Sequence, residues 1–156
     1  MEPLETKFLK ILAPVDFSPS SKLALEYALL LADRFGGVVD VIHAWEVPAY
    51  LRPDLTVWAG EVSATLAEHT RTEAERGLKE FLEHANVWGR PNVTTRVIAG
   101  PPYQVIISAA EEGKFDLITM GTHGRSGLPH LVLGSVAEKV VRHARCPVLT
   151  VRAPRH

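Results

Sequence analysis

The sequence predicts an α/β protein, with a parallel sheet of five strands and helices on both faces. Two observations predict it. Short apolar, β-compatible runs alternate with longer amphipathic segments along the chain, as repeated βα units require. Glycine and proline punctuate the joins. Ser18-Pro19 offers a helix cap and first residue, and Gly36-Gly37 a helix stop.

Each element follows in order. Residues 8–15, FLKILAPV, form the first strand. The first helix begins at Ser18, with Leu23, Tyr27, Leu30 and Leu31 at helical spacing as its apolar face. VVDVIHAW, residues 38–45, reads as a buried strand. Residues 46–60 carry two prolines and the aromatics Tyr50 and Trp58, and read as an excursion loop. Such a loop serves as a lid, as a dimer contact or as plain surface. A long helix is expected from Glu61 to Asn86, its inner face built from Val62, Leu66, Ala74, Leu78, Phe81, Leu82 and Ala85. Glu68, Arg71, Glu75, Arg76 and Lys79 form its solvated face, spaced for ion pairs one turn apart. The β-branched run 92–99, a helix over 102–113 and a strand over 115–120 come next. A glycine-rich loop leads to a helix over 135–144 and a last strand over 147–152. No repeat or linker divides the chain, so residues 1–156 are expected to form one domain. In such sheets, ligands bind beyond the carboxyl ends of the strands, where strand order reverses.

Composition narrows the function classes. The 156 residues carry 17 Lys and Arg against 18 Asp and Glu. That balance argues against a nucleic-acid partner, which calls for a strongly basic surface. An apolar content of 46% argues against disorder. One cysteine, Cys146, excludes a disulfide framework and a multi-cysteine metal centre. It is expected as a buried small hydrophobe, in keeping with a reducing compartment. No apolar run reaches the ~20 residues of a membrane span. The opening MEPLETKFLKILAPVD lacks a signal-peptide pattern. A soluble, cytoplasmic protein with no membrane partner is the expectation. The charge is uneven, however. Residues 1–113 hold 10 basic and 16 acidic groups, whereas residues 114–156 hold 7 basic and 2 acidic.

The basic segment contains MGTHGRSGLPHLVLGSVAEK, with Gly121, Gly124 and Gly134-Ser135 spaced as G-x2-G-x9-G-S. Glycines after a strand let backbone N–H groups approach a ligand, and a helix opening at Ser135 would add free N–H donors and a partial positive charge. Arg125 would add a fixed positive charge. That combination suits phosphate. The bland alternative is a structural loop, in which the glycines make turns and Ser135 with Glu138 forms a self-sufficient capping box. Asp16, at the end of the first strand, is suited to ribose hydroxyls or a magnesium ion, and equally to a turn before Ser18. His43 reads as a satisfied core histidine. His123 sits inside the glycine loop, where phosphate contact and a plain structural role are both open. A hydrolase triad from Ser126 or Ser135 with His123 and Asp16 lacks the G-x-S-x-G elbow. The P-loop, dinucleotide and H-E-x-x-H zinc motifs are absent as well.

The spacing G-x2-G-x9-G-S resembles the nucleotide motif of the universal stress protein family, in its ATP-binding branch. ILAPVDFSPSSKLALEYAL, GPPYQVIISAAEEGKFDLITMGTHGRSG and CPVLTVR resemble that family's other segments in the same order. The resemblance implies a Rossmann-like, adenine nucleotide alpha-hydrolase-like fold with strand order 3-2-1-4-5. It implies Pro14, Val15, Ala44 and Met120 around adenine and Asp16 in the nucleotide site, which favours the ribose or magnesium role over the turn. It places Gly121, His123, Gly124, Arg125, Gly134, Ser135 and Val136 around phosphates and ribose. It also implies a homodimer through the last strand, Pro147 to Arg152. The expected function is an ATP-binding stress-response switch or regulator without dedicated catalysis. A slow ATP hydrolase and a nucleotide-independent oligomeric scaffold are the alternatives.

Overall fold

A computed structural model describes residues 8–123 and 133–154. The first strand, β1 (Lys10–Pro14), leads through α1 (Pro19–Phe35) into β2 (Val38–Trp45). Then come the short strands β3 (Thr56–Ala59) and β4 (Val62–Thr65), α2 (Leu66–His84) and β5 (Val93–Ala99). The chain continues through α3 (Pro102–Glu112), β6 (Leu117–Gly121), α4 (Ser135–His143) and β7 (Val148–Val151). The main sheet runs β5-β2-β1-β6-β7, with every neighbouring pair parallel. Counting only its own strands, this is the order 3-2-1-4-5.

Alternation along each strand divides the core between two faces. Ile11, Ala13, Val39 and Val41 pack with Leu25 and Ala28 of α1 and with Leu78 and Leu82 of α2. Leu12, Ile42, Ile118 and Met120 pack on the other side with Val105, Ile106 and Ala109 of α3 and with Ala137 and Val140 of α4. At the edge, buried Asp40 of β2 accepts hydrogen bonds from Thr94 Oγ1 at 2.9 Å and Arg96 Nε at 3.0 Å, tying β5 to its neighbour.

Two expectations are corrected. On α1 the helix is where the spacing places it, but its phase is different. Ala24, Leu25, Ala28, Leu29 and Ala32 are buried, while Tyr27 and Leu30 are 45% and 51% exposed. The stretch KLALEYALLLA is apolar nearly all round, so periodicity alone leaves its inner face undetermined. Small alanines win because they let the helix lie close to the sheet.

The second correction concerns residues 46–65. The expected loop contains β3, and the expected start of the long helix is β4, paired antiparallel through Ala59↔Val62 and Trp58↔Ser63. Gly60, at φ 67°, takes the first position of the two-residue turn, where a hairpin turn of the primed type favours glycine. Val62 is therefore an exposed hairpin residue. Helix α2 begins at Leu66, capped by Thr65 in a reciprocal box with Glu68. Its solvated face forms the expected ladder, with Arg71–Glu75 at 2.9 Å and Arg76–Glu80 at 2.7 Å.

Candidate functional site

Sheet order reverses at β1. The chain builds β2 and β5 to one side of it, then crosses through α3 to place β6 and β7 on the other. Crossovers from neighbouring strands therefore leave in opposite directions, which opens a crevice at the carboxyl ends of β1 and β6. A cleft of about 190 Å³ occupies it. Pro14, Val15 and Asp16 line it from the β1 end, Ala44 from β2, and Met120, Gly121 and His123 from β6 and beyond. Gly134, Ser135 and Val136 line it at the start of α4. Residues 124–132 lie outside the described residues, and with them the expected Gly124, Arg125 and Ser126.

Local geometry shows what holds these groups. Val15 donates its N–H to the Ile42 carbonyl at 2.9 Å and accepts from His43 Nδ1 at 2.8 Å. His43 is satisfied, as expected of that strand, but it is half-buried and lines the cleft instead of lying in the core. Asp16 takes up the turn role left open for it, since its Oδ1 accepts from Ser18 N–H at 3.0 Å. It lines the cleft as well, so the turn does not bury it away from that space. Ser18 caps α1 by accepting from Ser21 N–H at 3.2 Å. His123 Nδ1 shares a 2.8 Å hydrogen bond with Thr122 Oγ1, which fixes the ring plane.

The glycines act mainly through close approach. A Cβ on Gly121 would fall 2.8 Å from Ser20 Cβ, and one on Gly134 would fall 2.8 Å from the Thr122 carbonyl oxygen. Neither glycine needs a positive φ, so packing between segments explains them better than turn geometry.

The start of α4 settles one alternative. Its N-cap is Gly134, with φ −68° and ψ 161°, and no described side chain caps it. The Ser135–Glu138 capping box is therefore not formed. Ser135 is already the first helical residue, and Glu138 instead receives Arg142 Nη2 at 2.8 Å. First-turn N–H groups have no partner within a helix. Those of α4 open beside a cleft whose wall includes the apolar Pro14, Val15, Ala44 and Met120 and the polar Asp16, His43 and His123.

Ser21, Ile42, His43, Pro102, Ile106, Thr122 and Ala137 also line the cleft and were not expected there. Pro102 and Ile106 had one available signal. Helix α3 follows β5, so its first turns sit at the carboxyl end of the sheet with the other loops. Elsewhere, Cys146 is half-buried against the α3–α4 core. Burial pushes its thiol above the ordinary range, as suits a packing residue rather than a nucleophile. Among the described residues, no three His, Cys, Asp or Glu side chains gather as a metal site. No described helix is long and apolar enough to cross a membrane.

Comparison with known proteins agrees with this architecture. The sequence model of the universal stress protein family matches residues 7–152. A universal stress protein of Methanocaldococcus jannaschii is 35% identical over 152 residues, covering 97% of this chain and 86% of that protein. Among solved structures, the universal stress protein UspA from Lactobacillus plantarum superposes with a TM-score of 0.75 at 26% identity, covering 94% of this chain and 99% of that one. A universal stress protein solved in complex with cAMP has a TM-score of 0.66 at 21% identity, covering 92% and 96%. Both sequence and fold therefore place the chain in the universal stress protein family.

Proposed function

We propose that this chain is an ATP-binding regulator, whose cleft at the β1–β6 switch point holds an adenine nucleotide. One observation carries the reading. A crevice with an apolar wall ends at a helix start that no described side chain caps, and such a start is suited to an anion by its free N–H groups and partial positive charge. The apolar walls from Pro14, Val15, Ala44 and Met120 suit a flat base. Ser135 and Val136 offer backbone donors to phosphate, and Gly124 and Arg125 are assigned to phosphate by the family motif. Asp16 suits ribose hydroxyls. A structural relative solved with cAMP supports an adenine nucleotide as the ligand class.

Magnesium fits this donor set in one way only. Asp16 is the carboxylate that lines the cleft, and magnesium is commonly held by one or two carboxylates together with substrate phosphates. Asp16 would hold the ion, which would neutralise phosphate charge. Among the described residues that line the cleft, none is a lysine, and Asp16 is tied into the turn by Ser18 N–H. His43 and His123 line it too, but each has its Nδ1 engaged, with the Val15 carbonyl and with Thr122 Oγ1, and this favours a switch over a dedicated hydrolase.

The protein acts as a homodimer on this reading, through the segment Pro147 to Arg152. Its support is topological: β7 ends the sheet order, so one edge of Val148–Val151 has no partner strand within the described sheet. Size-exclusion chromatography with light scattering tests the pairing, and a monomer at micromolar concentration contradicts it. The nucleotide reading is tested by identifying what acid releases from the purified protein after equilibration with ATP, AMP and cAMP. Retained ATP with slow single-turnover hydrolysis supports it. Rapid turnover rejects the switch, and retention of no adenine nucleotide rejects the site.

A further inference from the structure

Phe17 joins the cleft to α2, an element that contributes no residue to the cleft wall. It follows Asp16 and holds φ 67°, the left-handed region that a residue with a Cβ occupies at a cost. Its ring stacks on His43, with centroids 4.2 Å apart and planes at 27°, and meets Phe81 of α2 at 5.4 Å. Underneath lies Gly77, in the interior of α2. Glycine weakens a helix interior, so the position asks for a reason. The reason is space: a Cβ there would sit 3.0 Å from Phe17 Cε2 and 3.3 Å from Cζ. His43, the other face of the stack, donates to the Val15 carbonyl at 2.8 Å. The residues on either side of Asp16 are therefore gripped, Val15 by His43 and Phe17 by His43, Phe81 and Gly77.

We propose that Phe17, seated in the Gly77 notch and stacked on His43, is the positioning residue that fixes Asp16 in the ligand cleft. The inference rests on the nucleotide reading above for its ligand, and on the contacts of Phe17 with His43, Phe81 and Gly77 for its mechanism. The left-handed backbone at Phe17 turns the chain sharply between β1 and the cap of α1. Without the ring contacts, that turn would relax to an ordinary φ and carry the Asp16 carboxylate away from its present place. Helix α2, and the hairpin on its N-terminus, would thereby feel the state of the cleft through one aromatic contact.

The test compares full-length wild type with Phe17→Ala, Phe17→Tyr, Gly77→Ala and Asp16→Asn, by ATP calorimetry and thermal melting. Loss of a partner that orients a metal ligand typically costs about 10–100-fold in affinity, and by the same logic Phe17→Ala is expected to raise the ATP Kd about tenfold. Phe17→Tyr keeps the ring and is expected to restore most of the affinity. Gly77→Ala is the decisive variant, because it removes a helix-weakening glycine while crowding the ring. Its melting temperature is expected to hold or rise while its ATP affinity falls. A role in folding alone predicts that affinity stays level. Weakened binding in Asp16→Asn with unchanged binding in both Phe17→Ala and Gly77→Ala overturns the positioning role and leaves the site reading intact. If wild type binds no adenine nucleotide, the site reading fails on its own. The latch is then read from the amide resonances of Asp16 and Ser18, which Gly77→Ala shifts if it holds the turn and leaves in place if it does not.

Discussion

Gly134 donates its amide hydrogen to the Thr122 carbonyl at 2.6 Å, and a Cβ on Gly134 would lie 2.8 Å from that same oxygen. The end of β6 and the start of α4 are thus clamped by a contact that admits only hydrogen at the α-carbon. Overpacking of this kind costs about 1–3 kcal/mol. Gly134→Ala is expected to lose stability in that range by urea denaturation, and to weaken nucleotide binding because the first turn of α4 must move. An alanine variant with wild-type stability and affinity would show that the clamp is slack.

Thr119, in the middle of β6, is fully buried, and its Oγ1 has no hydrogen-bond partner among the described residues. A buried unsatisfied hydroxyl costs about 1–3 kcal/mol, and replacing it by an apolar group of the same shape is neutral or better. Thr119→Val is expected to stabilise the protein by about 1 kcal/mol, read as a higher urea midpoint at unchanged slope. A lower midpoint would mean that the hydroxyl has a partner.

The phase of α1 is tested by a contrast. Leu25 is 0% exposed and Leu30 51% exposed. Leu25→Ala is expected to cost about 2–5 kcal/mol, and Leu30→Ala to stay within about 0.5 kcal/mol of wild type. Comparable losses at the two sites would restore the face that spacing alone suggested, unless Leu30 is covered in a dimer, which the concentration dependence of melting would reveal.

The start of α2 carries a pH signature. Glu68 accepts from Thr65 N–H at 2.8 Å and from Thr65 Oγ1 at 3.0 Å. The backbone bond first, then the side-chain bond, holds its carboxyl below the ordinary 4.5. A folded value below the unfolded one stabilises above the unfolded value, and that contribution disappears as pH falls through the folded one. Amide protection in the first turn of α2 is expected to drop across that acid window in wild type. In Glu68→Gln the drop should be absent, with protection already lower at neutral pH. Identical profiles would rule out the capping box.

The main sheet was legible because its evidence is local and redundant. Most strands are apolar runs bounded by Gly or Pro, β5 is a β-branched run between Pro91 and Gly100, and α1 and α3 end at glycine. The hairpin was not, although Gly60-Glu61 between TVWA and VSAT, and Thr65-x-x-Glu68 behind them, carry turn and cap signals. Val62 and Leu66 are spaced four apart and extend the helical period of α2 backwards, so periodicity outvoted the turn. In the cleft, the strand ends and glycines were legible as chemistry. Pro102, Ile106 and Ser21 were not, because their place depends on which helix the crossover carries past the switch point. The Phe17–Gly77 contact spans 60 residues of sequence, and no spacing rule reaches it.

Calorimetric titration of the full-length protein with ATP and magnesium is the sharpest check on an adenine nucleotide in the β1–β6 cleft. Saturable binding of one ATP per chain with a sub-millimolar Kd is expected, weakened in Gly134→Ala and Asp16→Asn. Absence of binding heat at millimolar ATP, together with equal melting temperatures with and without nucleotide, would contradict it.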